Sequence, residues 1–147
     1  MNEMCRIIPI GADHAGFDLK QKVIKFLEKE GHSVIDKGTY SEDRADYPDF
    51  GHAVAEVVAG DAEQLGILMC GSGNGIAMSA NKHKGVRAAL CWNAEIAELA
   101  RAHNDANILV LPARFISEEE AYKCVKVFLD SKFEGGRHAG RVKKIDC

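Results

Sequence analysis

The sequence predicts a single-domain α/β fold, with a five-stranded parallel sheet covered by helices on both faces. The 147 residues match the length of one domain that can bury its own core. Five short apolar segments alternate with longer stretches of helical periodicity, which is typical of a parallel sheet. No repeat or linker interrupts this alternation. Residues 1–147 are therefore expected to form one doubly wound, Rossmann-like domain.

The first half of the chain supplies three predicted strands, over residues 7–12, 32–36 and 65–69. The first helix ends at Gly31, and its apolar residues recur at helical spacing. These residues are Leu19, Val23, Phe26 and Leu27. The lysines expected on its other faces are Lys20, Lys22, Lys25 and Lys29. A second helix is predicted from Tyr47 to Gly60.

The second half repeats the pattern. A short helix over residues 76–82 follows a glycine-rich segment. The remaining strands are predicted over 86–90 and 108–111, with a helix over 94–102 between them and Pro112 ending the last strand. Ser117 followed three residues later by Glu120 predicts a capping box at the start of another helix. Its apolar face comprises Ala121, Cys124, Val125, Phe128 and Leu129.

Composition excludes several classes of protein. The net charge of −3 argues against a nucleic-acid-binding protein, which usually has a strongly basic face. The longest apolar runs are too short to span a bilayer, and the N-terminus lacks a signal-peptide pattern. The cysteines are scattered, without the spacing of a zinc site or redox dithiol. They are Cys5, Cys70, Cys91, Cys124 and Cys147. We therefore expect a cytoplasmic protein with reduced thiols, without membrane association.

The charge is unevenly distributed. Residues 132–147 contain five Lys or Arg and two Asp or Glu, a local charge of +3, which leaves −6 on the rest. This tail is either a solvated end or a cationic arm that reaches an anion. Two of its arginines, Arg137 and Arg141, are spaced to share one helical face. With Arg114 they are candidates for binding phosphate, because guanidinium can donate two parallel hydrogen bonds.

In an open parallel sheet, ligands bind outside the carboxyl ends of the strands. Four segments are expected there: residues 13–14, 70–75, 91–92 and 112–114. The strongest signal is the alternation of Gly71, Gly73 and Gly75. Such a loop can turn its amides inward around a phosphate or an oxyanion, although a tight turn alone would also require glycine.

Cys70 stands directly before this loop. Amide dipoles that bind anions also favour a thiolate over a thiol. A thiolate there could attack a carbonyl carbon or remove a proton from the carbon beside it. The alternative is a small apolar residue that ends a buried strand.

His103 and Asn104 close the fourth predicted helix. His103 is either a general acid/base or a C-terminal cap that interacts with the helix dipole. No grouping of His, Cys and carboxylate has metal-ligand spacing, so no metal site is expected.

Six segments together resemble the type B ribose-5-phosphate isomerases, in the family that includes galactose-6-phosphate isomerase. They occur in the same order over essentially the whole chain. They are Gly11-Ala12-Asp13-His14-Ala15-Gly16-Phe17, Asp46-Tyr47-Pro48, Cys70-Gly71-Ser72-Gly73-Asn74-Gly75, Ala80-Asn81-Lys82, His103-Asn104-Asp105 and Glu134-Gly135-Gly136-Arg137-His138.

The resemblance implies an aldose–ketose isomerase that interconverts ribose 5-phosphate and ribulose 5-phosphate through an enediolate, without metal or cofactor. It also implies a homodimer, with a tetramer as the alternative, whose active sites are shared between subunits. The tail 132–147 would then pack on a partner subunit. A six-carbon sugar phosphate, galactose 6-phosphate or allose 6-phosphate, is the alternative substrate. A non-catalytic phosphosugar-binding module is a further alternative.

The resemblance also implies roles for individual residues. Cys70 moves the proton between C2 and C1, His103 with Asp13 opens the sugar ring, and Ser72 moves protons between oxygens. The enediolate oxygen is held by the amides of Gly71, Ser72, Gly73, Asn74 and Gly75. The phosphate is held by His14, Arg114, Arg137 and Arg141. The sugar is lined by Tyr47, Asn104 and His138.

The family has two catalytic variants, one with this cysteine as base and one with a glutamate after the glycine run. Ile76 occupies the glutamate's position and cannot abstract a proton. The chain therefore resembles the cysteine variant. Ser72 stands where threonine is common, and it keeps the hydroxyl.

Overall fold

The computed structural model describes residues 5–146, so the ends of the predicted domain at residues 1–4 and 147 lie outside the described residues. Strands and helices alternate in the predicted order. The strands are β1 (Ile7–Ala12), β2 (Ser33–Asp36), β3 (Gly66–Cys70), β4 (Ala88–Leu90) and β5 (Ile108–Pro112). The helices are α1 (Phe17–Lys29), α2 (Tyr47–Ala59), α3 (Asn74–Ala80), α4 (Ala94–Asn104), α5 (Glu118–Asp130) and α6 (Arg137–Lys143).

The five strands form one parallel sheet in the order β2-β1-β3-β5-β4. After β1, the chain forms β2 on one side of β1 and then β3 on the other side. The strand order therefore reverses between β1 and β3, and a crevice forms there because the two following loops diverge to opposite faces. The predicted doubly wound α/β fold is confirmed.

Alternate residues of the central strands face two separate cores. Ile67 and Met69 pack with α1, α4 and α5 on one face. Leu68 and Cys70 pack with α2 and α3 on the other face. Burying each large aliphatic side chain contributes about 1.5–3 kcal/mol, so both helical layers are held mainly by these contacts.

The prediction that Lys20 lies on a face of α1 away from its apolar residues is wrong. Lys20 is 0 % exposed, rather than solvated like a surface lysine. It lies on the same helical face as Val23 and Leu27, three and seven residues later, and both of these are buried. Its ammonium group is paired with Asp36 at 2.7 Å, which makes the burial tolerable.

Two boundaries at the carboxyl edge differ from the prediction. Strand β5 extends one residue further than predicted, because Pro112 pairs with Cys70 and is itself the last residue of β5. Helix α3 begins at Asn74 rather than at Ile76. Gly73 has φ +81°, and this left-handed residue turns the chain directly into the helix.

Strand β4 begins at Ala88, two residues later than predicted. The preceding residues form a turn, in which the Val86 amide donates to the His83 carbonyl. The Asn81 side chain then donates to the Ala88 carbonyl and accepts from its amide, which fixes where the strand begins.

Only half of the predicted capping box forms. The Ser117 hydroxyl accepts a hydrogen bond from the Glu120 amide at 3.1 Å, as expected. The Glu120 carboxylate instead accepts from the Ala94 amide at 2.7 Å. This bond joins the starts of α4 and α5. Among the described residues, no helix has the length and apolar character needed to cross a membrane.

Candidate active site

The turn after β1 holds Asp13 at the strand-order reversal. Asp13 is buried, and its Oδ1 atom accepts hydrogen bonds from the amides of Ala15 at 3.0 Å and Gly16 at 3.1 Å. This Asx turn fixes the carboxylate at the mouth of the crevice. A Cβ atom at Gly16 would lie 2.7 Å from the Met69 carbonyl oxygen, so the turn approaches β3 too closely for any side chain.

The segment after β2 lies along the end of β1. The Ala12 amide donates to the Gly38 carbonyl at 2.8 Å, and the Thr39 amide donates to the Ala12 carbonyl at 2.7 Å. Further along, Ala45 contacts the Nδ1 atom of His14. That nitrogen either donates to the Ala45 carbonyl at 3.2 Å or accepts from its amide at 3.1 Å, depending on the tautomer. The segment therefore fixes the orientation of the His14 ring.

Cys70 ends β3 and is only 4 % exposed. The loop after β5 closes over it, because the Ala113 amide donates to the Cys70 carbonyl and the Arg114 amide donates to the Gly71 carbonyl, both at 2.9 Å. A Cβ atom at Gly71 would lie 3.1 Å from Arg114 Nη1, so the guanidinium lies against the loop. A fixed positive charge thus stands beside the residue that follows Cys70.

The glycines of this loop permit close approach by neighbouring side chains. A side chain at Gly73 would collide with Leu90. A Cβ atom at Gly75 would lie 2.5 Å from ring atoms of Tyr47, so the Tyr47 ring lies directly against the backbone. Ser72 is exposed, and its hydroxyl accepts from the Asn74 amide at 3.2 Å.

Ten of the residues expected in the site therefore gather at the carboxyl edge of the sheet. We call them the carboxyl-edge group. They are Asp13, His14, Tyr47, Cys70, Gly71, Ser72, Gly73, Asn74, Gly75 and Arg114. Residues 91–92, the other segment expected at the carboxyl edge, directly follow β4 at that edge. Burial raises the pKa of the Cys91 thiol to about 12, which indicates a packing role for this residue.

The remaining five expected residues lie at the opposite edge. Helix α4 starts beside the carboxyl end of β4, and its eleven residues run back to the amino end of β5. His103 near its end is therefore about 14 Å from the start of the helix, measured along the helix axis. The tail reaches the same place, because the Glu134 amide donates to the Ala102 carbonyl at 2.9 Å. We call this set the amino-edge group. It comprises His103, Asn104, Arg137, His138 and Arg141.

Two histidines of the amino-edge group are stacked. The ring centroids of His103 and His138 are 4.2 Å apart, and their planes differ by 12°. Burial lowers the pKa of His138, and the charges of His103 and Arg137 lower it further. Glu134 opposes this shift, with Oε1 3.7 Å from His138 Nε2.

Glu134 was not singled out from the sequence, and its i, i+4 spacing to His138 is the signal that could have identified it. His103, Glu134 and His138 place one ligand atom each within 4.8 Å of one another. Spacing along the sequence did not predict this grouping, because it forms only where the tail folds back onto α4. That the chain needs no metal for its chemistry remains a prediction.

Comparison with known proteins connects both groups to one family. The model of the ribose/galactose isomerase family matches residues 8–145. A probable ribose-5-phosphate isomerase B from Mycoplasma pneumoniae is 47 % identical over 144 residues, covering 97 % of this chain and 95 % of the relative. Ribose-5-phosphate isomerase B from Escherichia coli is 45 % identical, covering 94 % and 93 %.

Solved structures agree with these sequence matches. A ribose 5-phosphate isomerase from Thermotoga maritima superposes with a TM-score of 0.93 at 48 % identity, covering 95 % of this chain and 97 % of that protein. Ribose-5-phosphate isomerase B from Mycoplasma genitalium, solved with bound ribulose-5-phosphate, gives 0.92 at 44 % identity, covering 97 % and 95 %.

Proposed function

Because the chain belongs to the ribose/galactose isomerase family, we propose that it interconverts ribose 5-phosphate and ribulose 5-phosphate. The observation that carries this proposal is the ribulose-5-phosphate bound to the Mycoplasma genitalium relative, whose fold is shared over nearly the whole chain. The carboxyl-edge group supplies the matching chemistry, namely a cysteine, an amide loop and the Arg114 guanidinium around one crevice.

In the proposed reaction Cys70 acts as the base. Its thiolate removes the proton from C2 of the open-chain aldose, and the electron pair of the broken C–H bond forms the enediolate. The same thiol returns a proton to C1, while a proton moves from O2 to O1, so the aldose becomes the ketose without an external oxidant. The loop amides over residues 71–75 stabilise the enediolate oxygen, and Ser72 relays the proton between oxygens.

The α3 helix offers no second base. Ile76 occupies its first turn and is 0 % exposed, packed in the core between α2 and α3. A carboxylate at that position would be needed for the family's other catalytic variant. Cys70 is therefore the base that we propose for this chain.

The remaining roles involve both groups. We assign ring opening to His103 together with Asp13. Phosphate binding is assigned to His14, Arg114, Arg137 and Arg141. Sugar contacts are assigned to Tyr47, Asn104 and His138. Since His103 and Cys70 lie at opposite edges of one chain, they can act on one substrate only if two copies meet.

We therefore propose a homodimer, or a tetramer built from such dimers, in which each site combines the carboxyl-edge group of one copy with the amino-edge group of the other. Exposed apolar side chains near the carboxyl edge support such a contact. Met78 is 67 % exposed, Trp92 54 % and Phe115 73 %. Met, Trp and Phe are residue types enriched at protein interfaces. The positively charged tail 132–147 would then reach a phosphate in the partner's crevice.

The proposed reaction needs no cofactor, because the proton transfers are internal to substrate and side chains. We place the enzyme in the cytoplasm. This placement is supported by the free thiols of Cys5, Cys70, Cys91 and Cys124, because disulfides are rare in cytoplasmic proteins.

The substrate is tested by measuring kcat/KM side by side for ribose 5-phosphate, allose 6-phosphate and galactose 6-phosphate. We expect ribose 5-phosphate to have the highest value. A higher value for either six-carbon phosphate would assign the chain to that substrate instead. Binding of ribose 5-phosphate without turnover of any of the three would indicate a non-catalytic module.

The base is tested with Cys70→Ala. We expect kcat to fall by about 10²–10⁴-fold, the usual contribution of a positioned general base, or further, while the affinity for ribose 5-phosphate stays nearly unchanged. Cys5→Ala is the matched control, because it removes an exposed thiol outside the site. Near-normal turnover in Cys70→Ala would show that another group is the base.

A further inference from the structure

Three side chains at the amino edge have the donor atoms of a transition-metal site. Glu134 Oε1 lies 3.6 Å from His103 Nε2 and 3.7 Å from His138 Nε2. The three ligand atoms fall within 4.8 Å of one another. Two imidazole nitrogens and one carboxylate oxygen, with a position left open, are a known ligand set for Zn²⁺.

A second observation points to a ligand at this place. His138 is only 7 % exposed, and its Nε2 atom is buried without a hydrogen-bond partner among the described residues. Buried polar atoms almost always have a partner, so an unpaired nitrogen facing two other ligand atoms is unusual.

We propose that His103, Glu134 and His138 bind a divalent transition-metal ion of the Zn²⁺ type, and that this ion inhibits the isomerase. Coordination occupies His103 Nε2, the nitrogen that lies in the cluster, so the imidazole is no longer available as a general acid/base. The inhibitory part of the proposal rests on the proposed function. The metal binding does not.

Binding requires a limited rearrangement. Zn–N distances are about 2.0–2.1 Å, so the three ligand atoms must draw together. The stacked rings are nearly parallel, so their lone pairs lie in separate planes and one ring must turn before both nitrogens can bind one ion. The side chains of His103 and Glu134 are 35 % and 57 % exposed and can turn toward the buried His138. The nearby Arg137 and Arg141 repel a cation, so we expect weaker binding than at a site made of thiolates.

The direct test is equilibrium dialysis of the full chain against ZnCl₂. We expect one Zn²⁺ per chain, and a loss of affinity of about 10–100-fold or more in Glu134→Gln and in His138→Asn. MgCl₂ should not bind, because Mg²⁺ prefers oxygen ligands. The matched control is His83→Asn, because His83 Nε2 lies 2.7 Å from His52 Nδ1 in the other close histidine pair. This variant should retain full zinc affinity.

Zinc could also bind to thiols, so Cys70→Ser is measured alongside. Unchanged affinity in both Glu134→Gln and His138→Asn would overturn the proposed site. Zinc binding that is lost only in Cys70→Ser or in His83→Asn would overturn it as well. The dialysis result does not depend on turnover.

Inhibition is tested by adding ZnCl₂ to the isomerase assay and then removing it with a chelator. We expect a reversible loss of rate, and Glu134→Gln should need about 10–100-fold more Zn²⁺ for the same fractional loss. Zinc binding without loss of rate would overturn the inhibitory part. A chain with no isomerase activity would overturn the proposed function together with the inhibition, whereas dialysis would still decide whether the metal site exists.

Discussion

Lys20 connects the interior of the molecule to the site. Its Nζ atom donates to both carboxylate oxygens of Asp36, at 2.7 and 2.8 Å. Asp36 Oδ1 also accepts from the Gly38 amide at 2.9 Å. The Gly38 carbonyl in turn accepts a hydrogen bond from the amide of Ala12, the residue before Asp13. This partly buried ion pair therefore anchors the segment that lies against the β1–α1 turn.

Replacing Asp36 should lower the free energy of unfolding more than replacing Lys20. Asp36→Ala leaves a fully buried ammonium whose remaining hydrogen-bond acceptor among the described residues is Gln21 Oε1, with the Phe17 and Tyr40 rings 5.4 and 5.7 Å away, so we expect a loss of about 3–5 kcal/mol. Lys20→Met fills the same space with an apolar chain and leaves a carboxylate that is 32 % exposed, so the loss should stay below about 2 kcal/mol. Urea unfolding of both variants measures the difference. Equal losses, or a larger loss in Lys20→Met, would contradict this account.

Individual residues differed in how far the sequence could identify them. Asp13 and Cys70 were expected in the crevice because each directly follows or ends an apolar strand, and strand ends meet at one edge. Lys20 could not be recognised, because a lysine is normally solvated and its partner Asp36 lies on a separate strand. Glu134 was missed because its link to His103 depends on how the tail folds back.

At the scale of elements, the contact between the β1–α1 turn and β3 depends on Gly16. In Gly16→Ala the new methyl group would meet the Met69 carbonyl, so we expect a loss of stability of about 1–3 kcal/mol and a fall in kcat. Gly140→Ala is the matched control, because nothing lies within 4 Å of the new Cβ atom in α6. It should leave stability unchanged or raise it by up to about 1 kcal/mol. Thermal unfolding and steady-state rates report both effects, and a Gly16→Ala variant as stable as Gly140→Ala would refute the close contact.

The packing of α6 against α4 should depend on pH through His138. Its folded-state pKa is lowered by burial and by the neighbouring charges of His103, Arg137 and Arg141, and Glu134 only partly compensates. The unfolded chain, with an ordinary histidine pKa near about 6.5, therefore binds the proton more readily. Stability should fall as pH decreases below that value.

His138→Phe keeps an aromatic ring beside His103 but cannot be protonated. Urea unfolding at a series of pH values should show a shallower loss of stability in this variant between pH 7 and the acid range. The same slope in both proteins would mean that His138 does not contribute to the acid sensitivity.

Hydrophobic periodicity was sufficient to predict most strands and helices, because these elements bury their apolar residues on a regular face. The exceptions are local. The start of β4 depends on the Asn81 side chain, and the cap of α5 depends on a carboxylate that bonds to α4 instead. Such contacts join residues that are distant along the chain, so they cannot be predicted from a local sequence pattern.

At the scale of the whole molecule, the chain places His103, the proposed acid/base, and the Cys70 thiol at opposite edges of one sheet. The sequence reveals that both residues are present, but their separation follows from the direction in which α4 runs. In the proposed dimer, a single copy would therefore hold two half-sites, one at each edge. The shared sites that the sequence resemblance implies and the geometry of this chain lead to the same proposal.

The central claim is that one working site needs Cys70 from one copy and His103 from another. Mixing two inactive variants, Cys70→Ala and His103→Ala, by co-expression with different affinity tags tests it most directly. Half of randomly formed dimers are mixed, and each mixed dimer has one intact site, so the pool should regain about a quarter of the unmodified specific activity. No recovery in a pool whose mixed dimers are demonstrated by tandem purification would contradict the shared site.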